Sequence, residues 1–424
     1  MFIVKAKKTI KKILPKPLIN YYHFFLSFLG SLIYFFPSRE IKVIGVTGTN
    51  GKSTVVNLAS NVLEEAGYKV ASISSINFKT GKEEHPNLLK MTMPGRLKLQ
   101  KFLRKAVKKD CEYIVIEVTS EGIKQHRHNF IEFDVVVFTN LTPEHIESHG
   151  SFENYKKAKG DLFKSLEKSK KNNRTSIVNL DDENSEFFLS FNAEKRINYG
   201  IENSDELSLQ AEELKLSEEG TRFKLKGKDF NLKIKGKFNV YNSLAAIAIG
   251  LSQGIDINVS KKAIEKIERV SGRMEEVIKE PFKVIVDYAH TPDALKNIYS
   301  SISSRKKICV LGSCGGGRDK WKRSQLGKIA DEYCDQIFLT NEDPYDEDPV
   351  EIIDKIAEGI KEKNPIKIVD RKLAIKKALR SAQKGDAVII TGKGSEPWMC
   401  VKNGKKIHWD DREIVKEEIG KIKK

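Results

Sequence analysis

The segment Gly48-Thr49-Asn50-Gly51-Lys52-Ser53 follows the apolar run Ile41–Val46 and opens a helical pattern, Thr54–Ala66. Glycines at such a strand-to-helix turn let backbone N–H groups face a polyphosphate, and the helix start adds positive potential. Lys52 can then reach the β- and γ-phosphates of ATP while the Ser53 hydroxyl ligates Mg²⁺. A strict Walker loop also has a glycine where this chain has Val46. On this loop alone, a Gly-rich turn entering an ordinary helix stays open as the alternative.

Carboxylate and imidazole groups follow at the ends of two further apolar runs. Glu117 closes Ile114-Val115-Ile116-Glu117-Val118, an expensive place for an unpaired carboxylate. A Mg²⁺ ligand accounts for it, with a capping carboxylate as the alternative. Thr139-Asn140-Leu141-Thr142-Pro143-Glu144-His145 sets polar groups directly behind Val135–Phe138. His145 is a second candidate metal ligand there. A lone histidine is more often structural, but the phosphate loop and Glu117 favour the ligand reading.

These groups need a scaffold that gathers strand ends. Lys42–Val46, Tyr113–Val118 and Val135–Thr139 read as strands separated by helices, which predicts an α/β fold with a parallel sheet and ligands at its carboxyl edge. From Leu207 to Lys235 the pattern changes to Ser208–Leu216, Thr221–Leu225 and Phe230–Ile234, appended antiparallel strands. Helices Val240–Leu251 and Ser260–Glu268 lead to a boundary at Ser271-Gly272-Arg273. Beyond it, Val284–Asp287, Lys307–Leu311, Gln336–Thr340, Ile366–Val369 and Ala387–Thr391 alternate with helices, predicting a smaller Rossmann-like α/β domain. The expected organisation is a basic and apolar helical segment over 1–38, a P-loop-type central domain over 39–270 and a C-terminal domain over 271–424. No internal repeat or low-complexity tract interrupts it.

A chain of 424 residues exceeds what one core usually organises. Its net charge of +17 favours anionic partners, yet the lysines are spread along the chain and no nucleic-acid module is present. Nucleic acid is therefore not an expected partner. Cys111, Cys309, Cys314, Cys334 and Cys400 lack paired spacing, which suggests a reducing compartment and argues against a zinc site or disulfide scaffold.

Lys5, Lys7, Lys8, Lys11, Lys12 and Lys16 precede Leu18–Phe36, a run free of Asp, Glu, Lys and Arg. Its length could span a bilayer, but Asn20, His23, Ser27, Gly30 and Ser31 dilute it, and a span would place the ATP loop on the side without ATP. Two readings stand equal: an interfacial helix held by lysines and aromatic rings, or a helix docked on the protein.

From Lys42 to the C-terminus the motifs resemble the Mur ligase family, nearest its MurE type, which adds the third amino acid to UDP-N-acetylmuramoyl dipeptide. The likeness lies in Gly48–Ser53, Glu117-Val118-Thr119-Ser120, Gln125-His126-Arg127, Phe138-Thr139-Asn140-Leu141, His149-Gly150 and Tyr155-Lys156-Lys157-Ala158-Lys159. It implies that Glu117 and His145 help hold Mg²⁺, and that Thr119, Gln125 and Arg127 face the UDP-sugar-peptide. Lys159 matches a lysine that the family carbamylates into an anionic metal ligand; the residues alone suggest a surface lysine on the helix Glu153–Leu166. Gly236-Lys237-Phe238-Asn239-Val240-Tyr241-Asn242 looks like the adenine-side helix, with Asn239 and Asn242 as amide contacts or, more plainly, caps. Arg273 would neutralise the γ-phosphate, and Asp287 with Tyr288 would meet ribose and base.

At the acceptor end, Cys314–Lys320 and Thr391–Glu396 look like the family's amino-acid-binding turns, with Arg318 for a carboxylate, Gly392 in the turn and Glu396 for an ammonium group. Diaminopimelate ligases carry Asp-Asn-Pro-Arg where this chain has Glu342-Asp343-Pro344-Tyr345. Losing that bidentate fork counts against diaminopimelate; Asp343 could favour a distal amine such as that of lysine, or be a plain loop acid. Ser395 and Glu121 also replace family histidines. Family members carry an N-terminal domain that grips the uridine diphosphate, whereas residues 1–41 alone precede the first strand here. The resemblance implies a cytoplasmic, monomeric, ATP- and Mg²⁺-dependent amide ligase of peptidoglycan precursor synthesis, with membrane association through 18–36. Alternatives are a ligase for lipid-linked muramyl peptide, a folylpolyglutamate-type ligase, or a non-catalytic nucleotide-binding scaffold at the membrane.

Overall fold

A computed structural model describes residues 15–89, 91–202 and 206–422. Its larger sheet has nine strands in the order β4-β3-β2-β5-β1-β6-β7-β8-β9. These are β1 Lys42–Thr47, β2 Val70–Ile73, β3 Asn77–Thr80, β4 Glu83–Pro86, β5 Tyr113–Glu117, β6 Val135–Phe138, β7 Thr175–Asn179, β8 Lys195–Gly200 and β9 Leu209–Gln210. All neighbours are parallel except the β2-β3-β4 meander. β1 lies between β5 and β6 and is apolar on both faces, as a doubly covered parallel sheet requires. Helices Lys52–Glu65, Lys237–Ser252 and Ile257–Glu265 seal one face; Arg96–Lys108 and Phe152–Glu167 seal the other. The carboxyl ends of β1, β5 and β6 therefore bring residues 47–53, 117–120 and 139–145 to one edge.

The expected strand Ser208–Leu216 is broken. Its first half is β9, paired in parallel with β8; after Ala211 the chain turns into β10 Glu212–Ser217 of a separate antiparallel sheet with β11 Gly220–Leu225 and β12 Lys228–Leu232. The stacked rings of Phe223 and Phe230 pack this small sheet onto the helix Lys237–Ser252 side of the core.

A second sheet has the order β13-β14-β18-β15-β16-β17, comprising Glu275–Ile278, Lys283–Asp287, Ala387–Thr391, Lys307–Leu311, Gln336–Thr340 and Ile366–Ile368. Only β13 runs antiparallel to its neighbour. Helices Pro292–Ser301, Lys322–Tyr333 and Pro349–Ala357 cover one face, Arg371–Ser381 and Asp411–Ile422 the other. Arg371 and Asp411 form a fully buried bidentate pair, 2.9 and 2.7 Å, between the latter two helices.

The reading of the cysteines as unpaired is corrected at two positions. Cys309 of β15 and Cys334, which ends the helix preceding β16, are disulfide-bonded. β15 and β16 are adjacent only in the folded sheet, so their separation of 25 residues carried no local signal. Cys111, Cys314 and Cys400 remain thiols.

The helix Lys16–Ile33 docks on Arg96–Lys108 through its small residues: Ser27 and Ser31 are buried, Gly30 lies against Leu97 and Gln100, and Ser27 Oγ donates to the His126 carbonyl at 2.6 Å. Its opposite face carries Leu18, Tyr21, Tyr22, Phe25 and Leu32, all about half exposed or more, at the three- and four-residue spacing of one helical stripe. No described helix is long and apolar enough to cross a membrane. The lysines at 5, 7, 8, 11 and 12 lie outside the described residues.

Candidate active site

One cavity of about 790 Å³ runs between the two sheets and is lined by the phosphate loop, Glu117, Lys159, Arg127, Arg273 and Arg318. Two loop glycines are sterically required. Gly48 has φ +149° and a Cβ there would sit 1.9 Å from Thr139 Oγ1; Gly51, at φ +83°, leaves room for Asn242 Oδ1, which a Cβ would meet at 2.3 Å. Val46, where a Walker loop has glycine, is still inside β1, paired with Glu117 and Val137. The loop is pinned by Asn140: its carbonyl accepts from Thr49 N–H at 2.8 Å and its Oδ1 from Asn50 N–H at 2.8 Å. Lys52 begins the helix and folds its Nζ onto the Thr49 carbonyl, 2.7 Å away. Burial, partly offset by Glu117, lowers the proton affinity of its amine.

Glu117, buried at the end of β5, accepts from Ser53 Oγ at 2.7 Å and from Ser75 N–H at 2.8 Å. Arg273 crosses from the second sheet and aims Nη2 at Ser75 Oγ, 3.2 Å, and Ser53 Oγ, 3.4 Å, while its guanidinium lies 4.4 Å over the Tyr288 ring. Glu117 and Ser53 are hard oxygen donors beside a phosphate loop. They fit Mg²⁺, which takes one or two protein oxygens and fills the rest of its octahedron with phosphate and water. Among the described residues no group of three His, Cys, Asp or Glu side chains is gathered as a metal site.

Lys159 is not on the surface. The inner face of Phe152–Glu167 buries it, its Nζ donates to the Gly48 carbonyl at 2.5 Å, and it lies 4.5 Å over the Tyr155 ring. Among the described residues it has no ion-pair partner, and burial together with Lys52 holds its amine well below the ordinary lysine range. His145 also lines the cavity, its ring centre 6.1 Å from that of Tyr155. Burial and then Arg318 keep its imidazole neutral, the form that can ligate. Among the described residues it shares no hydrogen bond with Glu117. The adjacent Glu144, passed over in the sequence, is ion-paired to Lys322 at 2.8 Å by one oxygen, and its other oxygen is buried without a partner.

Asn242 lines the cavity, but Asn239 does not. One helical turn behind, Asn239 accepts from Asn242 Nδ2 at 3.0 Å and donates to the Lys235 carbonyl at 2.7 Å, so its amide orients Asn242. Asp287 accepts from Met274 N–H and Ala289 N–H, both at 2.6 Å, clasping the segment that carries Arg273. Thr119 caps the helix Ser120–Lys124 by accepting from Gly122 N–H. Arg127 donates to Gln125 Oε1 at 2.9 Å and to the Met93 carbonyl.

At the acceptor end Arg318 opens into the cavity and, among the described residues, has no hydrogen-bond partner. The reading of Asp343 as a site for a substrate amine needs correction. Both its oxygens take Lys393 Nζ at 3.0 Å, and one also accepts from Cys400 N–H. Lys393 also bridges to Glu396 at 2.7 Å. Its neighbour Glu342, missed in the sequence, has a buried oxygen without a partner; burial and then Asp343 raise its carboxyl to about 6. Gly392, at φ +104°, is the space Glu342 occupies, since a Cβ would come within 2.3 Å of its oxygen. Tyr345 packs its ring on Gly316. The two halves meet over the loop through Lys322–Glu144, Asn50 Nδ2 to Asp293 at 3.0 Å, and Asp319, which accepts from Ile146 and Glu147 N–H.

Residues 46–250 match the Mur ligase middle domain and 272–394 the Mur ligase, glutamate ligase domain. The UDP-N-acetylmuramoyl-L-alanyl-D-glutamate--2,6-diaminopimelate ligase of Syntrophomonas wolfei is 38% identical over 410 residues, covering 94% of this chain and 82% of that protein. The enzyme of the same name from Bacillus cereus is 36% identical over 427 residues, covering 98% and 86%. A solved structure of a ligase with that name superposes with a TM-score of 0.61 at 29% identity, covering 91% of this chain and 79% of that one. Folylpolyglutamate synthase of Mycobacterium tuberculosis shares the fold, with a TM-score of 0.72 at 14% identity over 87% of this chain and 92% of that one. Phosphate loop, Glu117, Arg273 and the two matched domains together place this chain in the Mur ligase family, among its MurE-type, ATP-dependent amide ligases.

Proposed function

We propose that this ligase joins a free amino acid to the terminal carboxylate of UDP-N-acetylmuramoyl dipeptide, releasing ADP and phosphate. The carrying observation is the convergence of Lys52, Ser53 with Glu117, and Arg273 in one cavity that Arg127 and Arg318 also line. The substrate carboxylate attacks the γ-phosphorus and ADP leaves; the amine then attacks the acyl phosphate and phosphate leaves. Lys52 and Arg273 sit where negative charge grows on the transferring phosphoryl group. Ser53 and Glu117 would hold Mg²⁺, with His145 or the unpartnered oxygen of Glu144 nearby, and the ion supplies further charge neutralisation. We assign carbamylation to Lys159, and organisation as a segment 1–38, a central domain 39–270 and a C-terminal domain 271–424.

The acceptor is expected to differ from that of the relatives named for diaminopimelate. Tyr345 offers one hydroxyl, and Asp343 is neutralised by Lys393, whereas Glu342 keeps an unpartnered carboxylate oxygen. A distal carboxylate buried without its cation costs roughly 2 kcal/mol, about thirtyfold in preference. In a competition among free amino acids with UDP-N-acetylmuramoyl dipeptide, read by product mass, lysine should outrun diaminopimelate, and Tyr345→Arg should move the ratio toward diaminopimelate. A wild-type preference for diaminopimelate would overturn this assignment and point to Arg318 as its cation. No ligation with any amino acid would overturn the substrate reading itself.

Membrane contact belongs to the same proposal: the outward stripe Leu18, Tyr21, Tyr22, Phe25 and Leu32 would lie in the interface of an anionic bilayer. Replacing Tyr21, Phe25 and Leu32 together by serine spares the docked face. It should release the protein from anionic liposomes in co-sedimentation while ATP affinity stays unchanged. Equal sedimentation of variant and wild type would leave only the docked role.

A further inference from the structure

In the segment that follows the helix Ser120–Lys124, two residues stand in the left-handed backbone region without being glycine: His126 at φ +56° and Phe130 at φ +60°. That region is uncommon for any side chain and costly for one as bulky as phenylalanine, and it persists only where the surroundings over-determine it. Here the surroundings are the N-terminal helix Lys16–Ile33. Asn20 Oδ1 lies 2.6 Å from His126 Nε2, and Ser27 Oγ donates to the His126 carbonyl at 2.6 Å. Within the turn, His126 Nδ1 lies 3.0 Å from Asn129 Nδ2. One neutral tautomer satisfies both ring nitrogens, Nε2–H donating to Asn20 and Nδ1 accepting from Asn129; burial, followed by Arg96, disfavours the charged form. Phe24 packs edge-on against the rings of His126 and Phe130, with centres 5.9 and 5.2 Å apart, and Phe28 meets Phe130 at 5.4 Å. One helix therefore holds both strained residues.

What the turn carries gives this contact its consequence. Gln125 and Arg127, on either side of His126, line the active-site cavity, whereas His126 itself does not. The backbone of His126 sets the direction in which both neighbours leave the chain, because a move from the left-handed to another allowed region would swing the segments on either side of it. We infer that the N-terminal helix is a positioning element of the active site: Asn20 and Ser27 hold His126, the rings of Phe24 and Phe28 hold Phe130, and the turn so fixed presents Gln125 and Arg127 to the cavity. Which substrate this serves rests on the muramyl-ligase reading; that the helix sets the turn does not. The same helix carries the exposed stripe Leu18, Tyr21, Tyr22, Phe25 and Leu32 on its far face, so a surface that binds the stripe acts on the turn through one rigid element. Coupling of this kind is reciprocal. Whatever fixes the turn from the cavity side tightens the docking of the helix, and whatever pulls the helix away loosens the turn.

The test joins hydrogen–deuterium exchange on the full chain to steady-state ligation of UDP-N-acetylmuramoyl dipeptide. Asn20→Ala combined with Ser27→Ala removes both hydrogen bonds to His126 and, alanine being the best helix former, leaves the helix itself intact. Amides of 125–130 should exchange roughly tenfold faster in this variant, and KM for the muramyl substrate should rise by a similar factor, the loss of two neutral hydrogen bonds. The values of kcat and of KM for ATP should stay at those of the wild type. At His126 the backbone can be separated from the side chain: His126→Ala and His126→Gly both lose the imidazole, but glycine enters the left-handed region freely and alanine does not. The muramyl KM should therefore rise more in His126→Ala than in His126→Gly, the reverse of the order that lost packing alone would give. Unchanged exchange over 125–130 in the double variant, an unchanged muramyl KM despite faster exchange, or a glycine variant worse than the alanine one overturns the proposal. Should the double variant fail to fold, Asn20→Ala alone, at an exposed position, carries the same comparison. A wild type that does not ligate the muramyl dipeptide overturns the substrate reading instead, and exchange over 125–130 still decides whether the helix holds the turn.

Discussion

Lys52→Ala should abolish ligation, with ADP formation falling roughly a thousandfold or more while the circular dichroism spectrum stays that of the wild type. The loss is large because Lys52 is the loop's one cation, set at a helix start one residue from Ser53 and close enough to Glu117 to feel its charge. Arg273 approaches the same point from the second sheet. It cannot replace Lys52, because it lies over Tyr288 and is held through Gly272. The fold should survive because Lys52 makes its hydrogen bond to Thr49 of its own loop. β1 and its flanking strands are held by buried apolar contacts that do not involve it. Near-normal ADP release in a correctly folded Lys52→Ala protein would remove the nucleotide-loop assignment and, with it, the acyl-phosphate route.

What could be seen in the sequence was whatever is encoded by near neighbours. The phosphate loop, the strands ending at Val46, Glu117 and Phe138 and the five parallel strands of the second sheet are local patterns of hydrophobicity and turn chemistry, and they stand where the pattern put them, whereas the short buried strands β2 and β7 went unnamed. The flanks of the larger sheet were not legible: β4 carries Glu83, Glu84 and His85, and β8 begins Lys195-Arg196, as edges facing water do, so they lack the apolar run that marked β1. Nothing local couples Asp343 to Lys393 or Cys309 to Cys334. Each pair is assembled by strand order. The same limit explains Asn239 and Asn242, which look equivalent in sequence. One turn of helix puts the first behind the second, and only Gly51, which lacks a Cβ, lets Asn242 touch the loop.

Lys159 carries the other large expected effect. Its amine is buried, faces a carbonyl and a ring, and feels a second lysine, Lys52, whose repulsion together with burial outweighs the pull of Glu117 and Glu144. A protonated amine there suffers both desolvation and repulsion from Lys52, so the neutral form is favoured. On the proposed carbamylation, the neutral amine would add carbon dioxide at Nζ, forming the N–C bond and releasing one proton, and the product carbamate would be an anion that relieves the repulsion from Lys52 and supplies oxygens to a metal. Lys159→Ala removes the nitrogen and leaves a buried gap bordered by Tyr155, Gly48 and Lys52. Ligation should fall by roughly a hundredfold or more, and acetate or propionate, small enough to enter the gap and carrying the missing carboxylate, should restore part of it in a saturable manner. Chloride at equal ionic strength should not. Lys159→Arg, which keeps a cation but cannot form a carbamate, should be as inactive as alanine and refractory to acetate because the gap stays filled. An alanine variant with full activity would strip Lys159 of any role toward the metal. An inactive one that no carboxylate rescues would make the lysine a structural prop of the Gly48 turn, in which case its loss should also lower the melting temperature.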